Sequence, residues 1–403
     1  MPLDTGDTSF MLVATALVMI MTPGLAFFYG GLVSRKNVLT IMMQSYVSMG
    51  VSTILWVVVG YSLCFSGDVG GIGIIGNLDM AFLRGIEITD LGGLNDTIPL
   101  LLFVAYQMMF AIITPALITG AFANRITFKA YLIFLVAWQI LVYYPFVHMI
   151  WGGGMLADWG VLDFAGGIVV HALAGMAALA SVIYVGKRGV EDAGPHNVPF
   201  VAIGAALLWF GWFGFNAGSE LAVDEVTAVA FINTQIAAAF AAITWLLLAW
   251  RHDGKPSFVE MLIGMIAGLA TITPAAGFVS PQSAMLIGVA AGAVCYFAVV
   301  FRKNKGLDDA LDVWGVHGVG GALGIVMLGV LASESIGGQN GLYHGNQDFF
   351  VVQLAGLALA CVWAFAFTYG MLMMIDKVTP VRVSEEAEAA LDVTLHGESA
   401  YTD

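Results

Sequence analysis

The sequence predicts an all-α polytopic membrane protein of eleven transmembrane helices, and three observations carry that reading. Its 403 residues are 60% hydrophobic and only 10% charged, whereas soluble domains carry roughly 25% charged residues. Apolar stretches long enough to cross a hydrocarbon core of about 30 Å recur along the whole chain. The few Lys and Arg fall in alternate loops between those stretches, as the positive-inside rule requires. The same figures exclude other classes. With 14 Lys and Arg against 28 Asp and Glu, the chain lacks the clustered cations that neutralise phosphates in nucleic-acid binders. It is too apolar to be disordered. Its three cysteines, Cys64, Cys295 and Cys361, lie far apart in apolar runs and read as small buried hydrophobes rather than a disulfide framework.

The spans read as 9–32, 39–65, 98–122, 129–149, 165–186, 198–217, 227–250, 258–275, 284–301, 312–333 and 349–375, each to about three residues. The first is preceded by Asp4 and Asp7 and no cation, unlike a signal peptide with its basic opening. Charge, Gly and Pro punctuate the rest, as in Ser34-Arg35-Lys36-Asn37 and Arg251-His252-Asp253-Gly254-Lys255-Pro256. The loops after spans 1, 3, 5, 7, 9 and 11 hold Arg35 and Lys36; Arg125 and Lys129; Lys187 and Arg188; Arg251 and Lys255; Arg302, Lys303 and Lys305; Lys377 and Arg382. Only Arg84 falls on the other side. The N-terminus is therefore expected outside and the C-terminus inside, with nearly all of the net charge of −14 facing outward. That outer field favours collection of a dilute cation. Residues 1–377 form the transmembrane domain, and 378–403 a cytoplasmic tail.

An odd number of spans per half inverts the second half in the membrane, a recurring transporter plan. The halves read as about 9–186 and 198–333, with 349–375 as a final helix. Span 5 opens Asp163-Phe-Ala-Gly-Gly and reaches His171; span 10 opens Asp312-Val-Trp-Gly-Val and reaches His317. Each is the last helix of its half, begins near an Asp and is Gly-rich around its His. Ionisable groups at membrane depth are costly and face a cavity or a partner, and at an α-helical rise both imidazoles approach the midplane from opposite sides. A touching neutral pair can share one proton and titrate as a unit. For either histidine alone, a hydrogen bond to a neighbouring carbonyl is the plainer reading. Asp163, about 12 Å before His171 on a helix, is too far to orient it and reads as a helix N-cap or as negative potential beneath the outer mouth. No carboxylate or Cys sits beside the histidines at metal-ligand spacing, so no metal or other cofactor is expected. Gly152-Gly153-Gly154 lacks the Lys-Ser/Thr of a phosphate cradle, and no nucleophile–base pair supports an enzyme. Phe215-Asn-Ala-Gly-Ser219 closes span 6 with an aromatic ring and a hydroxyl on one helix face. Such a pair suits a small cation, although an interfacial aromatic belt is the plainer reading.

Six motifs in order resemble the Amt/Mep/Rh family of ammonium transporters, its bacterial and archaeal Amt branch in particular. They are Pro23-Gly-Leu-Ala-Phe-Phe-Tyr-Gly-Gly31, His148-Met-Ile-Trp-Gly-Gly-Gly154, Asp163-Phe-Ala-Gly-Gly through His171, Trp212-Phe-Gly-Phe-Asn-Ala-Gly-Ser219, Asp308-Asp-Ala-Leu-Asp-Val-Trp-Gly-Val-His317, and Leu391-Asp-Val-Thr-Leu-His-Gly-Glu-Ser-Ala-Tyr401. The resemblance implies a homotrimer in the cell membrane with one pore per subunit. It implies that Trp151, Ser219 and Phe110 recruit ammonium, that Phe110 and Phe215 form stacked gate rings, that His171 and His317 are the pore pair, and that Asp163 lies beneath the recruitment site. Methylammonium is the candidate second substrate, and PII-type regulatory proteins are candidate partners at inner-loop cations such as Lys187 and Arg188. The tail departs from the family pattern: Ala390 stands where Gly precedes Leu-Asp, and the acidic stretch Glu385 to Ala390 is about one residue short, a departure that bears on the tail's docking geometry and gating role and not on the pore. Two other readings compete: an ammonium sensor signalling through its tail and a docked partner, and a five-plus-five ion-coupled symporter for an organic solute.

Overall fold

A computed structural model describes residues 2–190 and 194–401; residues 402–403, assigned above to the tail, lie outside the described residues. Among the described residues, eleven helices are long and apolar enough to cross a membrane: α1 (Thr5–Leu32), α2 (Val38–Phe65), α3 (Leu100–Ile118), α4 (Phe128–Asp158), α5 (Gly167–Val185), α6 (Val198–Glu220), α7 (Glu225–Asp253), α8 (Phe258–Ala275), α9 (Pro281–Asn304), α10 (Trp314–Leu331) and α11 (Gln347–Asp376). The third span is shorter than 98–122. Its start is taken by a two-residue antiparallel ribbon pairing Leu91–Gly92 with Ile98–Pro99, and beyond Ile118 the chain turns through residues 119–125.

Successive helices run antiparallel, so the bundle has two faces. One carries the start of α1, where the Asp7 carboxylate accepts from the Thr97 hydroxyl and the Val223 N–H. The other carries the tail and, by helix direction, every Lys and Arg except Arg84. Cys64 and Cys295 are buried thiols and Cys361 a half-buried one, none in a disulfide.

The tail is docked in spite of its altered sequence. The Asp392 carboxylate accepts from the Leu39 and Thr40 N–H groups and the Thr40 hydroxyl at 2.8–3.0 Å, capping the free N–H groups that open α2. The Asn37 amide donates to the Glu388 carbonyl and its oxygen accepts from the Leu391 N–H. Arg382 donates to the carbonyls of Val185 and Lys187 at the end of α5. Ala390 is not among the residues with positive φ, so this backbone does not need the freedom that glycine provides.

Where helices meet, small residues set the distance. The closest approach lies between α5 and α10. A Cβ added at Gly175 would stand 2.0 Å from the Gly318 Cα, and one at Gly321 would stand 2.6 Å from the Gly167 carbonyl oxygen and 2.7 Å from the His171 Cβ. Gly175 and Gly321 each follow a pore-pair histidine by four residues.

Candidate functional site

The start of α5 is built around one carboxylate. Asp163 accepts four backbone N–H bonds, from Gly166 and Gly167 at 2.9 and 2.6 Å on one oxygen and from Ile168 and Val169 at 2.8 and 3.1 Å on the other. These are the N–H groups that a helix start leaves without partners. Gly166 makes the arrangement with φ 115°, a left-handed conformation that costs glycine little. Of the two readings of Asp163, the geometry gives the cap, and the residue also lies among those lining the neighbouring cavity. Burial pushes that carboxyl above its ordinary range, against the pull of the four N–H bonds.

From there the chain winds as a π-helix over Gly167–Ala172, and the same wide turn recurs over Trp314–Gly318 at the start of α10. Such turns displace a side chain from its α-helical phase and concentrate at functional positions. Both histidines lie in these turns. The depth expected from an α-helical rise therefore gives way to a wider winding, and the rings meet with His171 Nδ1 and His317 Nδ1 at 3.2 Å. One Nδ1 must carry the hydrogen and the other the lone pair. The rings lie 5.2 Å apart at 25°, and His171 Nε2 is buried without a hydrogen-bond partner.

Aromatic rings continue this contact toward the N-terminal face. His171 stacks on Phe215 at 6.0 Å and on Trp212 at 5.5 Å. Phe215 meets Phe110 at 4.5 Å, and Phe110 meets Trp151 edge-on at 5.8 Å. The two phenylalanines expected as gate rings lie one against the other and are inclined at 40°. Phe110 is pinned on both sides, by Trp151 and by Tyr106 at 5.1 Å, and so cannot lie flat on Phe215. The Trp151 indole N–H donates to the Asp163 carbonyl, tying that ring to the α5 cap.

Above Phe110 opens a cavity of about 580 Å³, lined by Trp151, Phe110, Ser219, Asp163, Gln107 and Glu220 among others. Below it, Phe215, Trp212, His171, His317, Val316 and Tyr29 are among the side chains around a bore with about 20 Å³ of space, near the minimum for a single water. The structure thus brings together Trp151, Ser219, Phe110, Phe215, Asp163, His171 and His317 in one column.

It adds residues that the sequence reading did not single out. The Tyr106 hydroxyl lies 3.2 Å from the Ser219 hydroxyl, and its position four residues before Phe110 was the available signal. Trp212 holds its place against His171 by donating to the Thr273 hydroxyl at 2.9 Å. The counterpart of Asp163 is Asp309 rather than Asp312. Asp309 stands eight residues before His317, as Asp163 stands eight before His171, and it accepts from the Trp314 N–H at 2.7 Å. Asp312 instead pairs with the buried Arg302.

On the tail face, Arg188 is engaged by Asp308 at 2.8 Å, and the fully buried Arg125 approaches the same carboxylate at 3.6 Å. Burial pushes the Arg125 guanidinium down to about 10, although Asp308 opposes the fall. Burial raises the Asp308 carboxyl, but bonds from Arg188 and the charge of Arg125 outweigh it and leave the group below its ordinary range. Among the described residues, no group of three or more His, Cys, Asp and Glu could hold a metal ion.

A channel-like column of rings inside an eleven-helix bundle defines a class of membrane transport proteins. The profile of the Ammonium Transporter Family matches residues 9–401, and the chain belongs to that family. It is 46% identical to an ammonium transporter of Bacillus subtilis over the full length of both chains. It is 44% identical to an archaeal ammonium transporter of Archaeoglobus fulgidus, covering 99% of this chain and 100% of that one. Its structure is similar to Saccharomyces cerevisiae Mep2, with TM-score 0.88 and 33% identity over 95% of this chain and 88% of that one. It is also similar to a protein described as a sensor Amt protein, with TM-score 0.89 and 29% identity over 97% and 98%. The chain is an ammonium transporter of the cell membrane, crossing it many times, and the family is not one of enzymes.

Proposed function

We propose that the N-terminal face is outside the cell and that ammonium is recruited there between Trp151, Phe110 and Ser219, loses a proton, and passes as ammonia through the histidine-lined bore. The observation that carries this reading is the 3.2 Å contact of His171 with His317, directly beneath the Phe110–Phe215 pair and the wide cavity. Confinement of the cations to the tail face supports the orientation, and the excess of carboxylates over cations at the other face steers ammonium inward.

Energetics supports the split into ammonia and a proton. An isolated ammonium ion entering a low-dielectric bore meets a Born cost on the order of tens of kcal/mol. A cation–π and hydroxyl site returns about 2 kcal/mol, enough to hold the ion at the mouth but not to carry it through. Ammonia, being neutral, escapes that cost, and the imidazole pair offers it polar contacts in an otherwise apolar passage. Potassium has the size and charge of ammonium but no proton to release, so this route rejects it. The proton crosses separately through the histidine pair, making transport electrogenic.

The two halves, about 9–186 and 198–333, act as inverted copies that meet at α5 and α10, with α11 bracing them. The working unit is a homotrimer with a pore in each subunit and a PII-type regulatory protein as partner at the tail face. Arg188 and Arg125, already committed to Asp308, serve the fold there more than the partner. The test is current in proteoliposomes on a jump of ammonium, methylammonium or potassium. Ammonium should give a current and potassium none, and a current of full size in the His171→Ala/His317→Ala double variant would remove the histidines from the proton route.

A sensor remains the second reading, favoured by the docked tail and by the likeness to a sensor Amt protein. A strain without other ammonium transporters separates the two. Growth on limiting ammonium supports transport, and failure to grow despite expression supports the sensor.

A further inference from the structure

If the proton crosses through the histidine pair, it must leave at the tail face, and two neutral imidazoles do not by themselves provide that exit. A deeply buried carboxylate near the tail-face end of the bore is Asp309, 2% exposed. It stands two residues before Leu311, which lines the bore with Val316 and Tyr29. Tyr29 lies close enough to Asp309 for the two to interact electrostatically.

Comparison with Asp163 isolates what is unusual. The spacing to the histidine is the same, but both Asp163 oxygens are saturated by backbone N–H groups. Asp309 accepts from the Trp314 N–H on one oxygen, with the Val313 N–H also turned toward the carboxylate, while its other oxygen, Oδ1, is buried without a hydrogen-bond partner of good geometry. A buried polar atom left unpaired costs about 1–3 kcal/mol, a cost that binding a proton or a water relieves. Among the described residues no ion pair joins a cation to this carboxylate: Arg302 pairs with Asp312, and Arg188 and Arg125 with Asp308.

We propose that Asp309 is the tail-side acceptor of the proton that ammonium gives up. An N–H bond of ammonium breaks near the N-terminal face, leaving ammonia and a proton. The proton moves through the histidine pair and a short file of water, an O–H bond forms at Asp309, and that bond breaks to release the proton to water at the tail face. Asp309 lies in the turn before α10, eight residues before His317 in the π turn, so water carries the proton between them.

The electrostatics suits an acceptor that must also let go. Burial pushes the Asp309 carboxyl up to about 6; the Arg302 charge pulls it down and Asp312 pushes it up. The remaining groups turned toward it are Tyr29 from α1 and Arg125 from the turn after α3. Such a carboxyl is empty at neutral pH and fills when the tail-side solution is acidified.

This inference rests on the electrogenic reading, and the experiment separates the two. Full-length protein is reconstituted with the tail toward the lumen, and initial currents are read on an ammonium jump into ammonium-free vesicles. Luminal pH is varied from about 7.5 to about 5. Ammonia entry is followed in parallel as accumulation of isotopically labelled ammonium nitrogen in the lumen, which counts ammonia whether or not its proton follows. Wild-type current should fall through a luminal pH of about 6, because Asp309 then stays protonated between turnovers. Asp309→Asn should lower the current about tenfold or more while ammonia entry stays within about twofold, and Asp309→Glu should restore current with a shifted luminal pH profile. A wild-type current flat across that range overturns the proposal. So does full current in Asp309→Asn, or a joint loss of current and ammonia entry in a variant that melts like wild type, which would mark Asp309 as a cap only. If Asp309→Asn does not fold, the wild-type profile and the Glu variant decide. Ammonia entry without any wild-type current would instead defeat the electrogenic reading, and this inference with it.

Discussion

Helices α5 and α10 enter the bundle from opposite faces, yet each presents an Asp, then a π turn with a histidine eight residues on, then a glycine four residues further. What surrounds them differs. The α5 cap is electrically quiet: Asp163 is saturated by N–H groups of its own segment and adjoins a wide cavity. The α10 cap lies in a mesh of charges, with Arg302, Asp312, Asp308 and Arg125 nearby and one unpaired oxygen. The same frame therefore serves two tasks. On the proposed function, one end holds its helix start rigid beneath the recruitment site, whereas the other receives the proton.

The largest expected effect tests whether the two caps are equivalent. Asp163→Ala strands four buried N–H groups and should cost on the order of 4 kcal/mol or more. Asp309→Ala strands the Trp314 N–H and should cost only about 1–2 kcal/mol. Thermal melting of the two purified variants checks this, and equal losses would mean that the caps are equivalent after all.

Next in size is the crossing. Gly175→Ala drives a Cβ into the Gly318 backbone, which no rotamer change can relieve, and should cost about 3 kcal/mol and abolish ammonium current by parting the histidines. Gly321→Ala pushes on Gly167 and His171 and should do the same slightly more mildly. A current unchanged in either variant would show that the 3.2 Å contact is not needed.

Smaller effects distinguish the two ends. Ser219→Ala removes the hydroxyl facing Tyr106 and the cavity, worth about 1 kcal/mol, and should raise the half-saturating ammonium concentration about fivefold with little change in maximal current. Asp392→Ala uncaps α2 and should loosen the tail by about 1 kcal/mol, read as faster proteolysis of residues 378–401 with the histidine contact untouched.

Much of the frame was legible in the chain. Eleven apolar runs follow from the length of a hydrocarbon core, and the alternation of cations follows from the way loops sort across a membrane. His171 and His317 stood out because ionisable groups are rare at such depth. Asp312 was mistaken for the counterpart of Asp163 because proximity to the helix start cannot tell a cap from an ion-pair partner. Only the fold sets Arg302 against Asp312 and leaves Asp309 to the Trp314 N–H. The docking of the tail was equally hidden, because Ala390 looks disruptive until its backbone conformation is known.

By itself, the sequence determined that this protein lies in a membrane, how many times it crosses, and which rings and imidazoles are available to a small cation, since hydrophobicity and charge act residue by residue. Tertiary structure alone decided that π turns and a glycine crossing bring the two histidines to 3.2 Å, that the gate rings meet at 40°, and which of the two helix-start aspartates keeps an unpaired oxygen. Each of these depends on distances between residues more than a hundred positions apart or on the winding of a single turn. Neither is written in local composition.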